Sequence, residues 1–398
     1  MSVPVASPVA PRLLPRDWPA SLQPARLANI EVDTPFLAFD PDLVTYQLMR
    51  FRSALPGVGV HYAMKCNGDE RVLRRLHEQG AGFEIASVGE LRRLLELGVH
   101  AEDVLFSNPV KPPAAIAQAR AAGVWRFSFD SEAELAKIAA AAPGAAVYLR
   151  LRVDDSDSVF PLSRKFGATP HEGLHGLLRA RALGLRPYGV TFHVGSQCTR
   201  LATWSRAVMV AAHLMERLAE HGIVLGMLNL GGGFPAHYGS AVPSIGSIGT
   251  AINEALEDHL PYQPGLIAAE PGRFLVAESG VLVATVLGRA VRDGQNWLYL
   301  DVGAYNGLME TLQTGQTWQF PLWTSRADHG TGPFDTFTVT GPSCDSSDTM
   351  FSGVRLPASL DEGDRIYIAS AGAYTLSYAS SFNGFPLPAA YPIDELDG

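Results

Sequence analysis

Apolar residues recur along this chain with two alternating patterns. Short, mostly apolar runs fall at 58–63, 82–86, 104–107, 125–129, 146–153, 188–194, 226–230 and 266–269. Between them lie stretches with apolar positions at helical spacing, at 70–79, 88–97, 113–121, 132–141, 174–182, 204–221 and 250–259. Runs of strand length separated by segments of helix length predict alternating β and α elements with parallel strand pairing. Capping-box spacing marks the start of two helices, at Ser87 with Glu90 and at Ser131 with Glu134. Asp40-Pro41 opens an earlier helix that runs to about Leu55, after a strand over 34–39. Eight strands interleaved with helices over about 220 residues predict a (β/α)8 TIM barrel, with a doubly wound sheet as the alternative.

Past Arg273 the helical spacing fades. Strand-like runs at 281–287, 296–302, 334–339 and 365–370 are separated by Gly, Pro, Asp and Ser. They predict a mostly β second domain. Residues 1–27 carry prolines at 4, 8, 11, 15, 19 and 24 and read as an extended arm. The expected division is an N-terminal arm and strand over 1–39 that joins the β domain, a barrel over 40–275, and a β-sandwich or barrel-like C-terminal domain over 276–398.

Composition narrows the function classes. Apolar content of 47% and charged content of 18% over 398 residues suit a soluble globular enzyme. The net charge of −9 argues against nucleic acid or an anionic membrane as partner. The three cysteines, Cys66, Cys198 and Cys344, are too few for a disulfide framework and point to a reducing compartment. The proline-rich start lacks the basic and apolar regions of a signal peptide, and no apolar run is long enough to span a bilayer. A cytoplasmic location is the expectation.

In a barrel, chemistry gathers at the C-terminal ends of the strands. Those ends carry Lys65, Glu84, Arg152, His193 with Ser196, Gly231-Gly232-Gly233, and Glu270 with Arg273. A lysine where a buried strand emerges is desolvated, which favours the neutral amine, and a neutral amine forms an imine with an aldehyde. The competing reading is a solvated rim residue. The three glycines let backbone N–H groups approach an anion, or they form a plain flexible turn. Glu270 and Arg273 can serve a ring nitrogen and a phosphate, or pair with each other. His193 can be a stacking platform, an acid or base, or a core histidine. No metal-ligand spacing, nucleophile elbow, Walker loop or dinucleotide fingerprint occurs.

Taken together, these motifs resemble those of the fold type III, pyridoxal-phosphate-dependent basic amino-acid decarboxylases, the ornithine and lysine decarboxylases above all. The resemblance runs from about Val32 to Phe385 through Tyr62-Ala63-Met64-Lys65-Cys66-Asn67, Phe83-Glu84-Ile85-Ala86-Ser87, Phe192-His193-Val194-Gly195-Ser196 and Gly231-Gly232-Gly233-Phe234-Pro235. It continues through Glu270-Pro271-Gly272-Arg273, Gly341-Pro342-Ser343-Cys344-Asp345, and Gly372-Ala373-Tyr374 to Phe382-Asn383-Gly384-Phe385. It implies pyridoxal 5'-phosphate as cofactor, held by Lys65, with His193 stacked on the ring and Glu270 on the ring nitrogen. Ser196, Gly231, Gly232, Gly233, Arg273 and Tyr374 would hold the phosphate, Arg152 would lie near the ring's other polar substituent, Glu84 would be a further cofactor-binding residue, and Glu90 would support Lys65. Cys344 would be the proton donor to the α-carbon. Asp345, with Asp301, Tyr305 and Phe382, would bind the substrate.

The family also implies a homodimer whose Cys/Asp loop reaches into the neighbouring subunit's barrel. Its best-known members carry Asp where this chain has Glu84, and an Asp-Gly-x-Tyr element where this chain has Val302-Gly303-Ala304-Tyr305, with Asp301 one residue early. Strand alternation points Asp301 to the other face. The activity implied is decarboxylation of L-ornithine, with L-lysine beside it. Arginine, diaminopimelate, carboxynorspermidine and modified ornithine are alternative substrates, and an inactive decarboxylase-like regulator or a racemase is the alternative from another class.

Overall fold

The apolar runs do become strands, because each is buried on both faces and bounded by turn residues. The structure, a computed structural model, describes residues 18–326 and 332–396. The chain folds into two compact units.

The first unit comprises Thr45–Pro235 and Val242–Phe274. Its eight parallel strands, Val58–Ala63, Gly82–Ile85, Val104–Phe106, Arg126–Phe129, Ala146–Arg150, Arg186–Thr191, Met227–Asn229 and Leu266–Ala269, close into a barrel. Closure is made by Ile267, Ala268 and Ala269 pairing with Val58, Gly59 and Val60. This is the (β/α)8 barrel expected. The strands around 150 and 190 stop earlier than their apolar runs, at Arg150 and Thr191, because the chain leaves the ladder there to build the rim. Two pieces of that rim, Ser158–Phe160 and Ser196–Cys198, pair antiparallel. At three residues each they are too short to leave a periodicity signal.

Capping follows the sequence. Ser87 accepts from the Glu90 N–H at 3.2 Å and Ser131 from the Glu134 N–H at 3.3 Å. The Glu90 carboxylate does not return to Ser87; it accepts the Ala86 N–H at 2.6 Å. A reciprocal box that the sequence reading passed over joins Thr169 and Glu172. Inside the barrel, Leu105, Tyr148 and Met227 form an apolar layer. His61 lies over Gly82, where any Cβ would come within 2.8 Å of the imidazole.

The second unit comprises the described residues of 18–44, Ala236–Ala241, and the chain from Leu275 on. It is a mostly β unit built on one eight-stranded sheet. Gly280–Arg292 is its spine, pairing antiparallel with Phe36–Phe39, Gln295–Leu300 and Arg365–Ala369. Thr349–Pro357 was not expected as a strand. Ser352, Gly353 and Arg355 break its apolar pattern, and register shifts interrupt its pairing with Phe334–Thr340.

The extended arm needs correcting over its described part. Ala20–Leu22 and Pro24–Leu27 are short helical turns. Trp18, Leu22, Leu27 and Ile30 pack with Phe36, Val281 and Tyr367 in the core of this unit. Burying each such side chain is worth about 1.5–3 kcal/mol, enough to order a short turn that proline spacing alone reads as extended. Residues 1–17 of that arm lie outside the described residues. No helix among the described residues is long and apolar enough to cross a membrane.

Candidate active site

The first barrel strand ends at Ala63, and the chain tightens at once into the short turn Met64–Cys66. That turn lifts Lys65 to the barrel mouth. Its side chain is 45% exposed, while its ion-pair partner Glu84 is 3% exposed. The amine is thus reachable and its counter-charge is buried. Burial pushes the Lys65 amine toward the neutral form, but the carboxylates of Glu84, Glu270 and Glu90 outweigh it and hold the proton affinity above the usual lysine value. The neutral rim lysine expected from the sequence is corrected here. The carboxylates that reverse it sit on other strands and helices. Burial also pushes the Glu90 carboxyl up, against its bond from the Ala86 N–H.

Glu270 follows the eighth strand and is buried. Its Oε1 accepts from Ser107 Oγ at 2.6 Å and from Asn229 Nδ2 at 2.7 Å. Burial, then the Glu84 charge, raises its carboxyl pKa, opposed by Lys65 and by these two donors. Burial drives the His193 imidazole well below its usual range, with Arg150 and Lys65 adding to the effect. His193 is therefore neutral at pH 7. Its Nδ1 accepts from the Gly195 N–H at 3.1 Å, which fixes the tautomer with the proton on Nε2.

Arg152 is not part of this cluster. It is exposed, and its Nε donates to the Gly167 carbonyl at 3.1 Å. Arg150, two residues earlier, is the guanidinium that the charges of Glu270 and Glu84 act on, with burial opposing them. The correction follows from where the strand ends: Ala146–Arg150 stops at Arg150, and Arg152 lies past its end, where alternation no longer directs it inward. Arg150 shares the inward face with Tyr148, one of the residues of the interior layer. Ser107, Tyr148, Arg150 and Asn229 were all missed. A usable signal existed, since Ser107 and Asn229 are polar residues ending apolar runs on the parity of Leu105 and Met227.

Gly231, Gly232 and Gly233 sit where side chains cannot. A Cβ on Gly231 would lie 1.9 Å from the Phe192 carbonyl oxygen, one on Gly232 would lie 2.8 Å from the Glu270 carbonyl oxygen, and one on Gly233 would lie 2.4 Å from the Gly195 carbonyl oxygen. Gly231 and Gly233 also have φ of 64° and 113°. The plain flexible turn is excluded by this packing. In the same unit, Arg273 Nε donates to Ser196 Oγ at 3.2 Å, and its guanidinium stands 5.1 Å from the Phe160 ring centroid. Glu270 and Arg273 each have partners of their own, Ser107 and Asn229 for the carboxylate and Ser196 for the guanidinium.

The second unit gathers the other sequence candidates. Tyr305 Oη donates to Asp345 Oδ2 at 2.9 Å, and its ring packs on Phe382 at 4.9 Å. The Ser347 N–H and then Tyr305 hold the Asp345 carboxyl below the usual range, so it is an anion at neutral pH. Cys344 is exposed, with Sγ 3.6 Å from Asn383 Oδ1. Buried Asp348 ties the two loops of this cluster together, accepting the Ala304 N–H at 2.7 Å and the Ser343 N–H at 3.1 Å. Asp301 lies apart from it. Its oxygens accept from Thr34 Oγ1 at 2.5 Å and from the Thr285 N–H at 2.9 Å, so a substrate-binding role is corrected to a structural one. Val302 is buried, as alternation requires. Tyr374 adopts φ 62° at the start of a short helix, its ring stacked on Tyr378.

The barrel donor set fits a flat aromatic aldehyde phosphate. It offers an accessible amine, a buried carboxylate with one oxygen open, a neutral imidazole, and a glycine cradle beside a guanidinium. A family model described as the pyridoxal binding domain of pyridoxal-dependent decarboxylases matches residues 42–277. The lysine/ornithine decarboxylase of Selenomonas ruminantium is 35% identical over 89% of this chain and 88% of its own length. Among solved structures, the lysine/ornithine decarboxylase of Vibrio vulnificus complexed with cadaverine is 34% identical, with a TM-score of 0.83 over 91% of this chain and 95% of that one. The arginine decarboxylase of Paramecium bursaria Chlorella virus bound to agmatine is 30% identical, with a TM-score of 0.86 over 93% and 100%. With a barrel that carries this donor set, a β unit beside it in the sequence, and relatives matched along almost their whole length, the chain belongs to the fold type III pyridoxal-phosphate-dependent decarboxylases of basic amino acids.

Proposed function

We propose that this protein decarboxylates a basic L-amino acid, converting L-ornithine to putrescine and CO2, with L-lysine to cadaverine as a second reaction. One observation carries the reading: the ionised Asp345, hydrogen-bonded by Tyr305 beside the Cys344 thiol, suits a substrate that ends in a bare ammonium. The relatives named for lysine and ornithine support it.

The chain's residues divide the work. Lys65 would hold pyridoxal phosphate, with Glu84 keeping a proton at Nζ. The neutral face of His193 would support the ring, and Glu270 would hold a proton at the ring nitrogen. Ser196, Gly231–Gly233, Arg273 and Tyr374 would bind the phosphate; Arg150 takes the place first given to Arg152. The cofactor, when bound, supplies an electron-poor ring that stabilises the carbanion left as CO2 departs. Asp345 anchors the distal ammonium, with Tyr305 fixing its Oδ2 and Phe382 walling the aliphatic chain. Cys344 holds the proton to be delivered to the α-carbon.

Cys344 and Asp345 are proposed to complete the barrel of a partner copy, which makes the active unit a homodimer. Three unbridged cysteines support a cytoplasmic setting. A second substrate reading, a modified ornithine or a guanidino substrate, is favoured by the buried Val302 and the locked Asp301.

The test offers L-ornithine, L-lysine, L-arginine and diaminopimelate separately to protein loaded with pyridoxal phosphate, with products read by mass spectrometry. Putrescine, with or without cadaverine, supports the first reading. Agmatine alone moves the assignment to the second. No product from a protein that binds the cofactor refutes this substrate class.

A further inference from the structure

Glu270 is held in an unusually directional way. Both of its side-chain donors, Ser107 and Asn229, act on Oε1, and Oε2 takes no hydrogen bond among the described residues. The hydrogen positions follow from valence. A carboxylate only accepts, so Ser107 must spend its one proton on Glu270. Ser107 Oγ also lies 2.7 Å from Tyr148 Oη, so Tyr148 donates to Ser107. Tyr148 is fully buried, and burial pushes its hydroxyl pKa well up, so it stays a donor across the working pH range.

Asn229 is oriented by the same logic. Its Oδ1 accepts the Gly231 N–H at 2.9 Å while its Nδ2 faces Glu270. The flipped amide would set oxygen against carboxylate and NH2 against N–H, so only one orientation is satisfied. Asn229 is fully buried, leaving no water to rescue the other. The Glu270 N–H in turn donates to the Gly231 carbonyl at 2.7 Å. One chain of bonds therefore runs from Tyr148 through Ser107 to Glu270 Oε1, and from there through Asn229 to the first glycine of the anion cradle.

We infer that Ser107, Tyr148 and Asn229 are positioning residues that pin Glu270 by Oε1 and reserve Oε2 for the ring nitrogen of the cofactor, so that the nitrogen end and the phosphate end of its site are set by one network. Two donors on one oxygen favour the ionised carboxylate and oppose the effect of burial. They also remove the rotation that would let Oε2 turn away. This rests on the cofactor assignment above.

The experiment titrates full-length protein, stripped of cofactor, with pyridoxal phosphate and with a carbocyclic analogue in which the ring nitrogen is replaced by carbon. Binding is read by tryptophan fluorescence. Variants are Ser107→Ala, Ser107→Thr, Tyr148→Phe and Glu270→Gln. Losing one charge-assisted hydrogen bond to a buried carboxylate corresponds to about a 10- to 100-fold loss of affinity. Ser107→Ala is expected to show a loss of this size for pyridoxal phosphate and none for the analogue. Tyr148→Phe should show a smaller loss with the same selectivity, and Ser107→Thr should restore binding. In the Glu270→Gln background, Ser107→Ala should add nothing. Equal losses for both ligands would make the network merely structural and overturn the inference, as would no loss for either. Wild-type protein that fails to bind pyridoxal phosphate would instead overturn the cofactor reading itself.

Discussion

Asp348 offers the sharpest test of how the proposed substrate-binding cluster is built. It is 1% exposed and lies in a slot with no room for side chains on either side: a Cβ on Gly303 or Gly341 would come within 2.2 or 2.4 Å of its carboxylate oxygens. Oδ1 accepts the Ala304 N–H and Oδ2 the Ser343 N–H. Those residues flank Tyr305 and Cys344, so one carboxylate sets the spacing of the two loops that place Tyr305 against Asp345. Asp348→Asn keeps the shape and one acceptor. It loses the charge and turns an NH2 group against a backbone N–H. A charge-assisted bond is worth about 1.5–3 kcal/mol, and the new donor–donor contact adds to that loss, so the cost is about 2–4 kcal/mol. With a urea slope of about 3 kcal/mol/M, the unfolding midpoint should fall by roughly 1 M. The same variant should raise KM for the diamino acid more than it lowers kcat, because Asp345 remains but loses its fixed place. Urea unfolding by circular dichroism, together with steady-state product formation, measures both. A midpoint within about 0.2 M of wild type and an unchanged KM would refute the claim that Asp348 joins the loops.

Three further outcomes are expected. Gly231→Ala forces a Cβ to 1.9 Å from the Phe192 carbonyl at φ 64°, so backbone must move; cofactor binding by fluorescence should be abolished, whereas Gly288→Ala, which meets no atom within 4 Å and has no positive φ, should leave it intact. Arg150→Ala should weaken cofactor binding at least about tenfold while Arg152→Ala stays near wild type, since only Arg150 faces the carboxylates; the reverse order would restore the assignment read from sequence. His61 is buried and its pKa is lowered from 6.5 to about 4, by burial first and Arg126 second. Because the unfolded chain then binds the proton more readily, stability is lost as pH falls from 6.5 toward 4, by roughly 3 kcal/mol at pH 4. His61→Phe should remove this slope, and parallel urea titrations of the two proteins at pH 7 and pH 4.5 would show it.

Much of the site's composition was legible in the chain. Lys65, Glu84, His193, Gly231–Gly233, Glu270 and Arg273 end strands of a pattern whose function sits at strand ends, and the eight runs specified the barrel because each pairs on both sides and must be apolar throughout. The glycines were legible as glycines. What made them obligatory was not, since the atoms they avoid belong to Phe192, Gly195 and Glu270.

Charge states were decided only by the fold. The sequence shows Lys65 leaving a buried strand, which by desolvation favours a neutral amine; the carboxylates of Glu84, Glu270 and Glu90 arrive from elsewhere in the chain and reverse the sign. Side-chain direction was decided there too. Arg150 and Arg152 are equally basic and two residues apart, but the strand ends at Arg150 and the chain turns outward before Arg152. Asp301 looked like a displaced substrate ligand until Thr34, 267 positions away, and Thr285, on the neighbouring strand, claimed both its oxygens. The physical reason is the same in each case. Local pattern records which residues one backbone segment can bury, whereas a pKa, a hydrogen-bond partner or an open carboxylate oxygen depends on atoms brought together from distant segments, and only the closed barrel and the paired sheet bring them.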